Sequence, residues 1–183
     1  MSEIRPADPA RDAAACAAVY APYVTESIIS FELTPPDEPE MRARIERTTA
    51  THPWLVAELD GEVVGFAYGS PHRERAAYRW AADVSVYLAE RSHRRGIGRA
   101  LYEKLFGLLK EQGFHTLCAG ISLPNDASIG LHEALGFVPV GIYRNIGFKH
   151  GAWHDVGWWQ LELLPPAVPP AEPLAPRRDP GPT

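Results

Sequence analysis

The apolar pattern of this chain changes period near its middle, and that change limits the folds open to it. Residues Arg79 to Leu88 form a run typical of a strand. From Gly96 onward the spacing becomes helical, and one apolar stripe ends at Gly113 after Ile97, Leu101, Leu105, Leu108 and Leu109. Because a strand leads into a long helix through a short turn, the sequence predicts a mixed α/β fold.

The clearest local signal is a hairpin. The runs Trp54 to Leu59 and Glu62 to Tyr68 are joined by Asp60-Gly61, a pair that adopts positive φ easily. With Arg79 to Leu88 they predict an antiparallel meander. Before the hairpin, the pattern predicts a first strand at Ile4 and Arg5, a helix capped by Asp8 that runs to about Tyr23, and a helix opened by Asp37. After the long helix, it predicts a strand from Thr116 to Ile121, a helix from Asn125 to Leu135, and strands at Phe137 to Ile142 and Trp153 to Leu163. The predicted fold class is a mixed, mostly antiparallel single sheet flanked by about four helices.

The 183 residues suit one domain, for which we expect residues 1–164. Residues 165–183 contain eight prolines and almost no aromatic or β-branched residues. Such a segment cannot build a sheet or bury a face, so the sequence predicts a disordered Pro-rich tail.

Charge and composition exclude several classes of function. The net charge of −5 argues against a protein that coats nucleic acid or an anionic membrane. The longest apolar stretch, Ala13 to Val24, is too short to span a bilayer, and the N-terminus lacks the pattern of a secretory signal. Cys16 and Cys118 stand far apart with no zinc or redox spacing, so we expect reduced thiols in a cytoplasmic protein.

The turn between the strand predicted at Arg79 to Leu88 and the long helix reads Arg94-Arg95-Gly96-Ile97-Gly98-Arg99. Unpaired amides and the positive helix end converge there, and four nearby arginines (Arg91, Arg94, Arg95 and Arg99) favour a small polyanion such as pyrophosphate. The residues Arg99-Ala100 and Leu101 exclude a Walker loop and a dinucleotide fingerprint. A solvated basic helix start is the alternative.

Asp83 is a carboxylate within an otherwise uncharged strand, a costly position unless it faces a cleft or a partner. Strand alternation places Asp83, Ser85 and Tyr87 on one face of the sheet. The simpler alternative is an ion pair with Arg79.

On the helix opened by Asn125, the side chains of Asn125, Ser128 and His132 share one face, opposite an apolar stripe of Ala127, Leu131 and Leu135. A histidine with a pKa near 6.5 suits proton exchange, although a hydrogen-bonded structural histidine is the alternative. His150, His154 and Asp155 lack metal-ligand spacing, so we expect no metal.

Several motifs resemble those of the GNAT acetyltransferases. They are the glycine-arginine turn, Asn125-Asp126-Ala127-Ser128 and the segment from Leu131 to Phe137. More narrowly, the segments Pro53–Glu58, Leu123–Asp126 and Gly147–Gly157 are similar to the phosphinothricin N-acetyltransferases. The resemblance covers residues 3 to 164 and implies a GNAT-like fold that binds acetyl-CoA.

The resemblance also implies roles for particular residues. It assigns coenzyme contacts to Val86, Tyr87, Leu88, Arg94, Arg95, Gly96, Ile97, Gly98, Arg99, Asn125 and Ser128. It assigns catalysis to Asp83, where the family has a glutamate, and to His132. The acceptor is expected at Phe31, Arg73, Arg75, Tyr78, Asp83 and Ser85. The chain departs from the family at Asp83, which is one methylene shorter, and at His93, where Gln or Arg is usual.

The sequence therefore predicts an acetyl-CoA-dependent N-acetyltransferase that acetylates a small amino-acid analogue of the phosphinothricin or methionine sulfoximine type by direct attack. One alternative is another amine: an amino acid, a polyamine or a protein N-terminus. The other is a coenzyme-binding sensor without turnover. The resemblance further implies a homodimer. We expect the aromatic side chains of Trp153, Trp158 and Trp159 in the sheet core and at the subunit contact rather than in a binding cage. No nucleic-acid or membrane partner is expected.

Overall fold

A computed structural model describes residues 3–176 of the chain. The strands are β1 (Glu3–Pro6), β2 (Trp54–Leu59), β3 (Glu62–Pro71), β4 (Ala81–Leu88), β5 (Thr116–Ser122), β6 (Val138–Lys149) and β7 (Ala152–Glu162). The α-helices are α1 (Pro9–Thr25), α2 (Glu38–Thr49), α3 (Ile97–Gln112) and α4 (Asp126–Ala134). This confirms the predicted fold class and the predicted order of the elements.

The largest difference from the predicted boundaries is in β6, which runs seven residues past Ile142. Its register with β7 shifts between Tyr143 and Gly147, and Asn145 has a φ of 49°. An irregularity of this kind interrupts the alternation on which a strand prediction depends, so the pattern showed only the first half of the strand.

The seven strands form one sheet in the order β1-β2-β3-β4-β5-β7-β6, which splits between its two central strands. β4 and β5 are parallel and pair over only three positions, from Ala81 opposite Thr116 to Asp83 opposite Cys118. Beyond Asp83, β4 stays on β3 and β5 stays on β7. The two strands therefore diverge and leave an open wedge, with Asp83 and Cys118 at its apex.

The helices cover both faces of this sheet. On one face α1 and α2 pack through Cys16, Met41 and Ile45 onto Trp54 and Phe66. On the other face α3 and α4 pack onto a second apolar cluster that includes Leu101, Leu105, Leu117 and Phe137. Both clusters are almost completely buried, so they hold β4 and β5 in place although the two strands share few contacts with each other.

A buried lysine fixes the connection between α1 and α2. Lys149 of β6 is 4% exposed, and its Nζ donates to the carbonyl oxygens of Val24 and Ser30 at 2.6 Å each. The connection carries Phe31, whose ring lies directly against Gly147 of β6. One ammonium group thus joins the end of α1, this connection and the β6–β7 hairpin.

The described part of the tail is docked on the domain. Residues 165–176 contain no helix or strand. However, Trp80 Nε1 donates to the carbonyl of Ala171 at 2.7 Å, Arg79 pairs with Glu172 at 2.8 Å, and the amide of Leu174 donates to the carbonyl of Gln112 at 2.7 Å. The prediction of disorder is therefore wrong for residues 171–174, because Trp80 and Gln112 supply partners that composition does not reveal. Residues 177–183 lie outside the described residues.

Across residues 3–176, none of the helices has the combination of length and apolarity that crossing a bilayer demands.

Candidate active site

The inner edges of the wedge carry backbone groups aimed into it. The amide of Ala89 donates to the carbonyl of Val64 on β3, and backbone direction alternates along an antiparallel strand. The polar backbone groups of Val86 and Leu88 therefore face the wedge, whereas those of Tyr87 face Phe66 on β3. Tyr87 was expected to offer backbone contacts to the coenzyme. The structure corrects this expectation, because its main chain is used by the sheet and its ring packs on Tyr20 and Tyr23.

A tyrosine of α1 lies at the outer end of the wedge. The hydroxyl of Tyr23 donates to the carbonyl of Leu88 at 2.7 Å, accepts from the Leu88 amide at 3.3 Å, and is 3.2 Å from His93 Nε2. Burial raises the pKa of Tyr23, so the hydroxyl stays protonated and can donate. Any ligand that uses the Leu88 backbone must exchange these bonds for its own.

The turn that leads into α3 has the geometry of an anion site. Arg94 and Gly96 have φ values of 59° and 76°, and a Cβ at Gly96 would meet open space. The first intrahelical bond runs from the Ala100 amide to the Gly96 carbonyl at 3.0 Å. Within residues 3–176, no protein group accepts from the backbone amides of residues 94–99. A row of unpaired donors at a helix N-terminus is a binding site for phosphate groups.

The four arginines near this turn are not equivalent. Arg91 pairs with Glu62 of β3, and Arg99 pairs with Glu103 one turn further along α3 at 2.8 Å. Arg94 and Arg95 are exposed and have no carboxylate within ion-pair distance among the described residues. The charge available to a polyanion therefore comes chiefly from Arg94 and Arg95.

At the apex of the wedge, Asp83 accepts a hydrogen bond from His72 Nδ1 at 2.6 Å. It does not pair with Arg79, which binds Glu172 instead, so the simpler alternative considered for Asp83 is wrong. Burial raises the pKa of Asp83, while the hydrogen bond from His72 and the charge of Arg73 act in the opposite direction. The carboxylate is thus held in a partly dry site beside two nitrogen-containing side chains.

Cys118 faces the same apex from β5. Ligand atoms of His72, Asp83 and Cys118 lie within 4.8 Å of one another. A metal ion would need the space between Nδ1 and Oδ1 that the shared proton occupies, so the cluster is arranged as a hydrogen-bonded pair beside a thiol. Burial and the nearby charge of Asp83 raise the pKa of Cys118 to about 11. The thiol is therefore protonated and a poor nucleophile at neutral pH.

Part of the expected acceptor side does gather here. Tyr78 lies edge-on to the His72 ring at 5.8 Å, and the Arg73 guanidinium lies over the Trp158 ring at 5.6 Å. The indole Nε1 of Trp158 is buried and has no hydrogen-bond partner within the described residues. An orphaned donor beside an arginine is a site for an anionic group.

The other expected acceptor residues are placed differently. Ser85 sits opposite Tyr68 in the β3–β4 register and hydrogen-bonds its hydroxyl. Arg75 is exposed at the start of a short 3₁₀ turn. Phe31 contacts Gly147 and lies 6.3 Å from the ring of His154. The structure therefore places Tyr78 against His72, the partner of Asp83, and Arg73 over Trp158, whereas the side chains of Phe31 and Arg75 make no hydrogen bond, ion pair or ring contact with these groups in the described part of the chain.

The structure places His132 in the protein interior, although the sequence of its helix predicted a position opposite the packed face. It is 3% exposed and is the only buried residue of α4, packed against the rings of Tyr102 and Phe137. Nδ1 donates to the Ser128 carbonyl at 2.8 Å, so Nε2 must accept from the Tyr102 hydroxyl at 3.1 Å. Burial lowers the pKa of His132, which favours the neutral ring. The expectation that it lies opposite the packed face is wrong, because α3 supplies an aromatic pocket that the sequence of α4 does not show.

Asn125 and Ser128 also have local roles. Asn125 caps α4, with its Oδ1 accepting from the Ser128 amide at 3.1 Å. This leaves the Asn125 amide nitrogen for a ligand.

A cavity of about 1100 Å³ lies between α1 and the β2–β3 turn and extends along residues 88–93. It reaches the outer end of the wedge through Tyr23 and Leu88 but does not include Asp83 or His132. Volume alone would therefore misplace the site. The unpaired amides of residues 94–99 and the half-buried Asp83–His72 pair are the stronger indicators.

Sequence reasoning missed two members of the site, His72 and Trp158. His72 follows β3 and is diagonal to Asp83, since Ser70 pairs with Asp83 and side chains two residues apart share a face. Knowledge of the register between β3 and β4 would have predicted that His72 and Asp83 are neighbours. Trp158 was read as sheet core and subunit contact, because nothing in the sequence shows that its indole nitrogen has no partner.

Comparison with known proteins agrees with this geometry. A family model described as an acetyltransferase (GNAT) domain matches residues 7–158. The phosphinothricin N-acetyltransferase of Streptomyces viridochromogenes is 44% identical, over 91% of each chain. The L-methionine sulfoximine/L-methionine sulfone acetyltransferase of Salmonella typhimurium is 36% identical over 66% of this chain and 70% of its own. A phosphinothricin acetyltransferase from Sinorhizobium meliloti in complex with AcCoA superposes with a TM-score of 0.87 at 34% identity, covering 98% of this chain and 97% of the other.

The buried position of His132 predicts that His132→Ala lowers stability by about 2 to 4 kcal/mol, because it leaves a cavity and an unpaired Tyr102 hydroxyl. Urea unfolding measures the change, and Leu131→Ala, a half-buried neighbour, is the control and is expected to lose less. Because burial lowers the pKa of His132, its contribution to the free energy of unfolding is fully present above about pH 6.5 and declines as the pH falls. An unchanged unfolding midpoint would contradict this placement.

Proposed function

This chain belongs to the GNAT acetyltransferase family, and on that premise we propose that it transfers the acetyl group of acetyl-CoA to the amino group of a small amino-acid analogue of the phosphinothricin or methionine sulfoximine type. The observation that carries the proposal is the wedge itself. It has a turn with unpaired backbone amides at its mouth, the backbone groups of Val86 and Leu88 directed into it from one edge, and the half-buried carboxylate of Asp83 at its apex.

The proposed coenzyme site fits the residues present. The free amides of residues 94–99 and the guanidinium groups of Arg94 and Arg95 suit a diphosphate. The backbone of Val86 and Leu88 suits an extended chain that adds to the open edge of β4, in the manner of a further strand. The Asn125 amide and the Ser128 hydroxyl would contact the same ligand from the α4 side. Arg99, bound to Glu103, would contribute through its backbone amide.

The proposed acceptor site lies on the other face of the sheet, around Asp83. Arg73 and the Trp158 indole nitrogen would hold a carboxylate or phosphinate group, since both donate hydrogen bonds and Arg73 is charged. Tyr78 and Ser85 would add polar contacts near the amine. Phe31 and Arg75 would complete the site from flanking segments, at a greater distance from the reacting group.

Acetyl-CoA, when bound, supplies an activated acetyl thioester. Asp83 would attract the ammonium group of the acceptor to the apex of the wedge, where the amine can lose its proton. Direct attack by the amine is supported by Cys118, because the only thiol at the apex has a pKa of about 11 and is not activated as a nucleophile. For His132, with both ring nitrogens bonded, we propose a role in holding Tyr102 and α4.

Coenzyme binding should depend on the two arginines that have no carboxylate partner. Replacing both Arg94 and Arg95 by Ala is expected to weaken coenzyme A binding by at least tenfold in calorimetry, because two cations are lost from a diphosphate site. The loss of affinity should be smaller at high salt, since salt screens the attraction between arginine and phosphate. Arg42→Ala on α2 is the control, since it removes a partly exposed arginine far from the turn in the sequence. Equal affinity of both variants for coenzyme A would refute the proposed phosphate site.

The acceptor is tested by release of free thiol from acetyl-CoA in the presence of different amines. We expect phosphinothricin or methionine sulfoximine to give the highest kcat/KM in a panel with other amino acids, polyamines and a peptide N-terminus, because Arg73 and Trp158 select for an anionic head. A higher kcat/KM for a polyamine or a peptide would favour the alternative acceptors. Binding of acetyl-CoA without turnover of any amine would favour a sensor.

We also propose a homodimer that pairs through β6 and β7. β6 is an edge strand, and the hairpin exposes a large apolar surface made by Val138, Val140, Ile142, Tyr143, Ile146, Phe148 and Trp153. Such a surface on an edge strand is usually covered by a partner. A second copy of the chain suits it, because two such hairpins would cover each other's apolar side chains. Free Cys16 and Cys118 suit a reducing compartment, and we propose the cytoplasm.

Sedimentation is expected to give the mass of two 20.2 kDa chains. The double variant Val140→Glu, Ile142→Glu should sediment as a monomer, because it places charges in an apolar interface. The control is Val168→Glu, which alters a 96% exposed valine in the tail. A wild-type protein that stays monomeric at all concentrations would exclude this assembly.

A further inference from the structure

The shortest hydrogen bond at the apex of the wedge joins two side chains from neighbouring strands. His72 directly follows β3, and its Nδ1 lies 2.6 Å from Asp83 Oδ1 on β4. A carboxylate oxygen only accepts, so Nδ1 carries the proton and the neutral ring has its lone pair on Nε2. Within residues 3–176, no protein group hydrogen-bonds this Nε2. The pair therefore presents one unused proton acceptor, on the imidazole.

The His72 ring is held in one orientation. It lies edge-on between Tyr78 at 5.8 Å and Trp158 at 5.9 Å, and its side chain is only 16% exposed. The charged and titratable groups around the pair are Arg73 beside it in sequence, Tyr78 on the following turn, Tyr68 on β3 and Cys118 on β5. Of these, only Arg73 is charged at neutral pH, because Cys118 and Tyr68 have raised pKa values.

Asp83 alone is badly placed to accept a proton from an amine in the wedge. Its side chain is short, and one of its oxygens is already bonded to His72. An imidazole extends the reach of that carboxylate by the width of a ring. A general base also needs a lone pair that is free to take the proton, and the unbonded Nε2 of His72 offers one.

We propose that His72 is the catalytic base of this enzyme and that Asp83 is its positioning partner, which fixes the tautomer and stabilises the imidazolium. This inference rests on the proposed acetyltransferase function and deepens it. The acceptor ammonium gives one proton to His72 Nε2, and the freed lone pair forms the new N–C bond. The C–S bond breaks with its electron pair on sulfur. The nitrogen then loses its second surplus proton, so that one of the two protons ends on sulfur and the other in solvent.

The decisive variant is His72→Asn. The Asn amide occupies the place of Nδ1 and can still donate to Asp83, but it has no acceptor in the place of Nε2. We expect kcat to fall about 100-fold or more at pH 7, with the KM for acetyl-CoA within threefold of wild type. Activity of the variant should rise about tenfold per pH unit towards the pKa of the amine, because hydroxide then replaces the missing base. His150→Asn, an exposed histidine at the β6–β7 turn, is the matched control and should keep full activity.

Two further variants separate catalysis from a folding defect. His72→Ala should regain at least tenfold in rate when free imidazole is added, whereas a variant damaged only in structure gains nothing. Asp83→Asn and the double variant His72→Asn, Asp83→Asn should differ by less than threefold in kcat, because the two groups act as one unit. If His72→Asn keeps kcat within threefold of wild type, or if imidazole restores nothing, the proposal is overturned while the acetyltransferase function stands.

The protonation pattern of His72 can be tested without turnover, and this test does not require the acceptor amine to be known. Nitrogen NMR of the histidine rings in the full chain should show His72 protonated on Nδ1, and this signal should change in Asp83→Asn. A ring protonated on Nε2 overturns the proposal. If wild type acetylates no amine, the proposed function fails, and this spectrum still shows whether the pair is built as described.

Discussion

The structure depends on the early end of one strand pairing. β4 and β5 share three residue pairs and then separate, although both remain in the same sheet. Backbone groups left unpaired inside a protein are costly, so such a split persists only where water or a ligand satisfies them. The strands can separate because each keeps its other neighbour, and because the two helix layers bury their outer faces independently. The fold thus maintains an open cleft at its centre without losing its core.

The same separation explains the division of chemistry between the two faces. Residues that alternate along β4 point to opposite sides, so Asp83 faces the α1–α2 side while Val84 packs towards α3. The turn with unpaired backbone amides follows β4 and leads into α3. A coenzyme that spans the wedge would therefore meet its phosphate contacts on one side and its reaction partner on the other. The acidic balance of the chain does not conflict with this, since Glu62 and Glu103 neutralise Arg91 and Arg99 and leave the positive charge concentrated on two arginines.

Local patterns in the sequence were sufficient for the elements and for the turn. The Asp60-Gly61 hairpin, the helical stripe of α3 and the glycine-arginine turn each depend on neighbouring residues, so a single sequence shows them. The predictions failed where a segment distant in the sequence determines the surroundings of a residue. His132 faces a pocket built by Tyr102 and Phe137, and the tail is docked by Trp80 and Gln112. His72 could have been paired with Asp83 only through the register of β3 and β4. The free indole nitrogen of Trp158 is a property of the packed structure and has no counterpart in the sequence.

The hydrogen bonds of the Lys149 ammonium group constrain how the sequence of such a protein can evolve. It ties the hairpin that exposes the apolar surface to the connection that carries Phe31, through two carbonyl oxygens that no uncharged side chain of similar length could hold equally well. A shift in the hairpin is therefore passed mechanically to the connection that carries Phe31. In the proposed dimer and acceptor site, substitutions that reshape the contact between copies would also move Phe31, so quaternary structure and preference for one amine over another would evolve together.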